Sequence, residues 1–139
     1  MKKTPRRRSW KWWAASLAWA GIIFFLSSRS SFPVEPPFPW FDKLVHMGLY
    51  GTLCLLLAGA LGTSGLRQSP RTILALAVLI SFFYGISDEM HQAFVPYRSC
   101  DPLDALADLL GALLIAILLS VALPSLMLFS SKKTIIPPF

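Results

Sequence analysis

The sequence predicts an all-α integral membrane protein, a bundle of four transmembrane helices with both termini in the cytoplasm. The 139-residue chain is 55% hydrophobic and only 14% charged, whereas soluble domains carry about 25% charged residues. Its apolar residues also gather into four long runs, each near the roughly 20 residues that a helix needs to cross a bilayer. Composition therefore excludes an ordinary soluble domain.

The four helices follow from these runs and from the helix breakers between them. Spans are predicted at 12–26, 44–61, 72–94 (polar after residue 87) and 103–123. The intervening segments are rich in Ser, Gly and Pro and are predicted as loops. Pro124 is expected to end the last helix, because the residue before a proline avoids helical conformation. The resulting organisation is a basic cytoplasmic tail at 1–11, a transmembrane domain at 12–123 and a cytoplasmic tail at 124–139.

Basic residues predict the orientation of the bundle. The N-terminal tail carries six of them, while the second loop and the C-terminal tail each carry two without an acid. The first and third loops each balance one arginine against one acid. Because cytoplasmic segments are enriched in Lys and Arg, both termini and the second loop are expected inside. A cleaved signal peptide ending at Ala20 is disfavoured, since the apolar run continues beyond it.

Polar residues concentrate in three short segments at the predicted outer ends of the helices. Six of the seven acidic residues and both histidines lie there. The candidate ligand-binding residues are Asp42, Lys43, His46 and Tyr50 in the first segment, Asp88, Glu89, His91 and Gln92 in the second, and Arg98, Asp101, Asp104 and Asp108 in the third. Since the predicted topology places all three segments on one side of the membrane, they are expected to form one site.

Helical spacing places Asp42, His46 and Tyr50 on one stripe, because they follow one another at steps of four. His46 lies one turn inside the span, where a histidine needs a partner. Asp42 also suits a helix N-cap, and Lys43 and Tyr50 suit the membrane interface. An interpretation in which these three only cap and anchor the helix therefore stays open.

Asp108 is the acidic residue predicted to lie deepest on the fourth helix. Asp101 suits the N-cap, but Asp108 lies about 10 Å further along at 1.5 Å per residue. An ionisable group at that depth indicates a functional site, with Arg98, Lys43 or a histidine as the expected partner. A structural polar contact between helices is the alternative. Gly111, one turn further on, would allow close helix approach.

These segments resemble the VanZ-like family of small bacterial membrane proteins. The resemblance is carried by Asp42-Lys43-x-x-His46-x-x-x-Tyr50, by Tyr84-Gly85-x-x-Asp88-Glu89-x-x-Gln92-x-Phe94-x-Pro96-x-Arg98, and by Asp101-x-x-Asp104 with Gly111. It covers residues 41–118, although family members commonly carry Asn where this chain has Asp108. The resemblance implies an envelope protein associated with resistance to the antibiotic teicoplanin, and it implies no particular reaction.

The expected function is binding of a lipid headgroup, a cell-wall precursor or a lipoglycopeptide at the outer face of the bacterial cytoplasmic membrane. Lys43 and Arg98 would contact an anionic group. The alternatives are an enzyme acting on a lipid-linked substrate by acid/base or metal chemistry, with Glu89 as base and His46 as its partner, and a purely structural bundle. No HExxH-like spacing is present, so no metal or cofactor is expected. Nucleic-acid binding is not expected either, and a homo-oligomer stays open.

Overall fold

The computed structural model of the protein describes residues 9–30, 37–66 and 68–131, with the backbone alone from residue 123 onward. Within these ranges the chain forms four helices and no strand. The helices are α1 Ser9–Ser27, α2 Phe41–Thr63, α3 Pro70–Gln92 and α4 Pro102–Ser131. The predicted all-α class and the number of helices are confirmed.

Three of the described helices, α2, α3 and the first 21 residues of α4, are long and apolar enough to cross a membrane. Their outward faces carry large apolar side chains, such as Phe83 (63% exposed) and Ile117 (59% exposed). Such exposure suits a lipid environment, because soluble monomers rarely expose apolar patches larger than a few hundred Å². The remaining helix, α1, is also largely apolar, and its first residues are rich in tryptophan. The chain is therefore a multi-pass membrane protein.

Two predicted helix ends are wrong. Residue Trp40 precedes α2 in a left-handed conformation (φ 73°), and Asp42 lies inside the first turn rather than at the N-cap. The fourth helix does not end before Pro124 but continues to Ser131. A proline removes one backbone donor, and a helix can continue past it where another group satisfies the carbonyl that loses its partner.

Helix α2 is the centre of the bundle, because it packs extensively against each of the other three helices, whereas α3 has only a small contact with α1. Its most extensive contact is with α4, and α3 packs against both α2 and α4. Two side-chain hydrogen bonds fix α1. The Trp19 indole donates to the Leu49 carbonyl (2.9 Å), and the Tyr84 hydroxyl donates to the Ala20 carbonyl (2.8 Å). These bonds hold α1 against α2 and α3.

Glycines set the distance between α2 and α4. A Cβ at Gly111 would collide with the Met47 backbone, and a Cβ at Gly51 would lie 3.1 Å from the Gly111 carbonyl oxygen. Small residues let helix backbones approach in membranes, where packing replaces the hydrophobic effect as the driving force. The close approach predicted at Gly111 is confirmed.

Candidate functional site

The polar residues meet at one end of the bundle, where α2 and α4 begin and α3 ends. The structure brings ten of the twelve predicted residues to this end in two connected groups. The entrance cluster consists of Lys43, Asp42, Asp101 and Asp104. The buried cluster consists of His46, Glu89 and Asp108, with Tyr50, Asp88 and Gln92 beside it.

Lys43 is the centre of the entrance cluster. Its ammonium lies 3.0 Å from Asp42 Oδ2, 2.5 Å from Asp101 Oδ2 and 2.7 Å from Asp104 Oδ1. The Lys43 side chain is only 15% exposed, so these contacts are partly shielded from water. Lys43 therefore links the start of α2 to the start of α4, and its charge is already matched by carboxylates.

Asp101 connects the two clusters. Its carboxylate accepts from the Leu103 backbone N–H at 2.9 Å, which confirms the predicted capping role at the start of α4. Its own backbone N–H donates to Glu89 Oε2 at 2.9 Å. The hydrogen bond from Lys43 holds the pKa of Asp101 below its ordinary value. Glu89 is thereby tied to the beginning of α4.

The buried cluster joins three helices through three ionisable side chains. His46 Nδ1 on α2 lies 2.9 Å from Asp108 Oδ1 on α4 and 4.0 Å from Glu89 Oε1 on α3. Asp108 is fully buried and Glu89 is 2% exposed. The prediction that a histidine could partner Asp108 is confirmed. One nitrogen of His46 and one carboxylate oxygen each of Glu89 and Asp108 all lie within 4.8 Å of one another.

The surrounding groups orient Glu89 and leave one oxygen of Asp108 unsatisfied. The Gln92 side-chain amide donates to Asp88 Oδ2 (3.1 Å) and to Glu89 Oε1 (3.2 Å). Tyr50 packs parallel to His46 and is fully buried, so it is not an interfacial anchor. Among the described residues, Asp108 Oδ2 has no hydrogen-bond partner. An unpaired buried polar atom is costly.

His91 and Arg98 point toward α1 and the segment that follows it. The His91 ring stacks on Phe24 at 4.8 Å, and its Nε2 lies 3.1 Å from Ser28 Oγ. The Arg98 side chain donates to the Arg29 carbonyl at 3.3 Å. His91 therefore lies on the α1 side of α3, away from the buried cluster.

The charge of the site is predominantly negative. The two clusters together contain six carboxyl groups (Asp42, Asp88, Glu89, Asp101, Asp104 and Asp108) and two basic side chains, those of Lys43 and His46. Because Lys43 is already paired, the anion-binding role expected for it is disfavoured. The arrangement is better suited to attract a cation, to hold a metal ion, or to move a proton through His46.

Gly85 supports the site but was not among the predicted residues. A Cβ at Gly85 would lie 2.5 Å from Asp108 Oδ2, so only glycine leaves room for this carboxylate. The position occurs in the Tyr84-Gly85 pair of the family-like motif, and that pair was the one signal for it. Helical periodicity alone does not reveal which glycine faces a side chain on another helix.

Comparison with known proteins places the chain in a family. It is 32% identical over 100 residues to the uncharacterized protein C11E3.10 of Schizosaccharomyces pombe (strain 972), covering 72% of this chain and 59% of that protein. The chain thus spans less than two thirds of that relative. No solved structure matches it significantly. A model of the VanZ/LLP1 family matches residues 9–123, which include α1 to α3, most of α4 and both clusters, and the chain therefore belongs to the VanZ/LLP1 family.

Proposed function

We propose that this VanZ/LLP1 protein binds an amphiphilic envelope component that carries a cationic amine, on the extracytoplasmic face of a bacterial cytoplasmic membrane. Binding would alter the response of the cell to teicoplanin. The observation that carries this proposal is the excess of carboxyl groups over cations at one end of a membrane bundle.

The orientation rests on the distribution of basic residues. The site lies where α2 begins and α3 ends, so it is at the opposite end from the loop between these helices. Arg67 in that loop and Arg71 near the start of α3 have no acidic residue beside them in the sequence, and the N-terminal tail is strongly basic. The positive-inside rule therefore favours a cytoplasmic location for the loop and an outward location for the site.

The chemistry of the ligand follows from the entrance cluster and its surroundings. Asp42 and Asp101 are partly exposed (58% and 35% of the side chain), so an ammonium group can approach them from the membrane surface. Exposed apolar side chains on α2 and α4 beside them, such as Leu44 and Leu103, suit an acyl chain. An aminophospholipid, an amine-bearing cell-wall precursor and a lipoglycopeptide all combine these two features.

Glu89→Gln should abolish the effect on teicoplanin without removing the protein. The substitution keeps the size of the side chain but removes the negative charge that accepts a hydrogen bond from the Asp101 backbone N–H, so it disturbs the entrance cluster at Asp101. In a Gram-positive host, the wild type should raise the minimum inhibitory concentration of teicoplanin, and Glu89→Gln should return it to the empty-vector level. Membrane levels are matched by blotting. His91→Gln on the same helix serves as control and should protect like the wild type.

Binding to nanodiscs then separates the sources of the amine. Purified protein is titrated with labelled teicoplanin and, separately, reconstituted with phosphatidylethanolamine or phosphatidylglycerol. Preference for the ethanolamine lipid identifies a headgroup site, and saturable binding of the drug in either lipid identifies a lipoglycopeptide site. A Glu89→Gln variant that protects as well as the wild type, or a wild type that protects no better than the vector, overturns the proposal.

An enzyme is the second candidate, because His46 and Asp108 form a 2.9 Å pair of the kind that orients a catalytic imidazole. Such a pair, with Glu89 4.0 Å away, can move a proton during hydrolysis of a lipid-linked ester. Asp108→Asn should then lower turnover by about 10²–10⁴-fold in proteoliposomes analysed by lipid mass spectrometry. Unchanged lipid profiles with wild-type protein would eliminate this candidate.

A further inference from the structure

We propose that the buried cluster is a metal site, in which His46, Glu89 and Asp108 bind one divalent transition-metal ion, with Zn²⁺ as the first candidate. This inference replaces the expectation from sequence that no metal binds. It concerns the interior of the bundle and does not depend on the amphiphile proposed for the entrance.

The geometry of the three side chains fits a single ion. One nitrogen and two carboxylate groups offer ligand atoms that all lie within 4.8 Å of one another. Bonds of about 2.0–2.2 Å in a tetrahedral site place ligand atoms roughly 3.3–3.5 Å apart. The separations of 2.9 Å and 4.0 Å from His46 Nδ1 to Asp108 and Glu89 bracket this range. Small side-chain rotations therefore complete the coordination, and each ligand comes from a different helix.

An unsatisfied oxygen within the cluster is a second indication of a ligand. Asp108 is fully buried, and its Oδ2 has no hydrogen-bond partner among the described residues. The buried Tyr50 hydroxyl beside it interacts with the carboxylates of Asp88 and Asp108. A cation bound to the cluster would compensate the negative charge on this second oxygen of Asp108.

The supporting hydrogen bonds are those that metal ligands usually have. Glu89 accepts from the Asp101 backbone N–H on Oε2 and from the Gln92 amide on Oε1. Outer partners of this kind orient the ligands of a metal and contribute substantially to its affinity. These hydrogen bonds therefore keep the Glu89 carboxylate close to its binding position before an ion arrives.

The donor set selects the class of metal. Imidazole nitrogen favours Zn²⁺, Fe²⁺ and Cu²⁺, whereas carboxylate oxygens alone favour Mg²⁺, Ca²⁺ and Mn²⁺. Three protein ligands that leave a further position open are typical of catalytic zinc sites. The His46 side chain keeps 12% of its surface exposed, so the buried cluster is not fully sealed, and the acids of the entrance cluster attract cations. The competing occupant is a proton shared among the same three side chains.

The test measures metal directly, without any assay of activity. The full-length protein is purified in detergent without chelators, and its metal content is determined by inductively coupled plasma mass spectrometry. We expect one zinc ion per chain, removable by a chelator and restored by added Zn²⁺. Substitution with Co²⁺ should give the visible absorption of a cobalt ion with a nitrogen and oxygen ligands. His46→Gln and Asp108→Asn should each weaken binding by about 100-fold or more, whereas His91→Gln should bind like the wild type.

A second measurement covers variants that fail to fold. Added Zn²⁺ should raise the apparent melting temperature of the chelator-treated wild type, because a ligand that binds only the folded state stabilises it. The proposal is overturned if the wild type holds no metal and shows no such shift, or if His46→Gln binds as tightly as the wild type. A metal-free protein that protects against teicoplanin refutes this inference alone. A metal-loaded protein that does not protect refutes the proposed function alone.

Discussion

Gly111→Ala should markedly lower the melting temperature of the protein. It should also move the residues of the buried cluster apart. A Cβ at this position meets the backbone O, C and Cα atoms of Met47, and a backbone cannot rotate away as a side chain can. Helices α2 and α4 must therefore move apart. Met47 follows His46 directly, and Gly111 lies three residues after Asp108, so the same movement lengthens the 2.9 Å contact between His46 and Asp108.

The expected destabilisation is about 1–3 kcal/mol, the usual cost of overpacking. The apparent melting temperature is measured in detergent, and size-exclusion chromatography with fluorescence detection monitors the loss of folded protein. Gly48→Ala is the matched control, because it lies on the same helix pair and a Cβ there meets no atom within 4 Å. Equal melting temperatures for Gly111→Ala and Gly48→Ala would show that the α2–α4 contact is looser than described.

Most of the fold could be predicted because its signals are local. Apolar runs of membrane-spanning length and the Gly- and Pro-rich segments between them define four helices without reference to tertiary contacts. The errors occur at helix ends, where each prediction depended on the propensity of a single residue. Pro124 is a strong breaker in water, but within α4 the helix passes through it to Ser131. Asp42 suits an N-cap, yet the chain enters α2 through Trp40.

The candidate site could be predicted only in part, because periodicity gives angles around a helix and not the neighbours at each angle. Asp88 and His91 are close on the surface of α3, but α3 has α2 and α4 on one side and α1 on another. His91 therefore stacks on Phe24, while Asp88 is buried. Glu89 points away from Asp88 by helical geometry, yet it is buried as well, because the end of α3 meets the start of α4 at Asp101.

The two clusters depend on each other electrostatically. Glu89 accepts from the backbone of Asp101, and the side chain of Asp101 contacts Lys43. A change of charge in the entrance cluster is therefore expected to shift the Glu89 carboxylate in the buried cluster. Lys43 is the cation that balances the entrance, and its removal is expected to have an effect comparable with that of a clash at Gly111.

Lys43→Met should destabilise the protein by about 2 kcal/mol, between the values for exposed and for fully buried ion pairs. Methionine keeps the length and apolar stem of lysine but removes the charge that faces Asp42, Asp101 and Asp104. The largest part of the cost should come from Asp104, because its side chain is only 10% exposed and water cannot replace the lost partner. The measurement is again the apparent melting temperature, with Lys11→Met on the exposed part of α1 as the control.

Two further measurements identify the lost ion pairs as the cause. Adding Asp104→Asn to Lys43→Met should recover part of the loss, because it removes the carboxylate left without a partner. The effect should also depend on pH. Lys43 holds the pKa of Asp101 below its ordinary 3.8 in the folded protein, so this pairing stabilises the fold above that pH and is lost as pH falls through the lowered pKa. The gap in melting temperature between wild type and Lys43→Met should be constant near neutral pH and should narrow below about pH 4. A gap that is independent of pH and unaffected by Asp104→Asn would mean that Lys43 acts through the packing of its stem rather than through its charge.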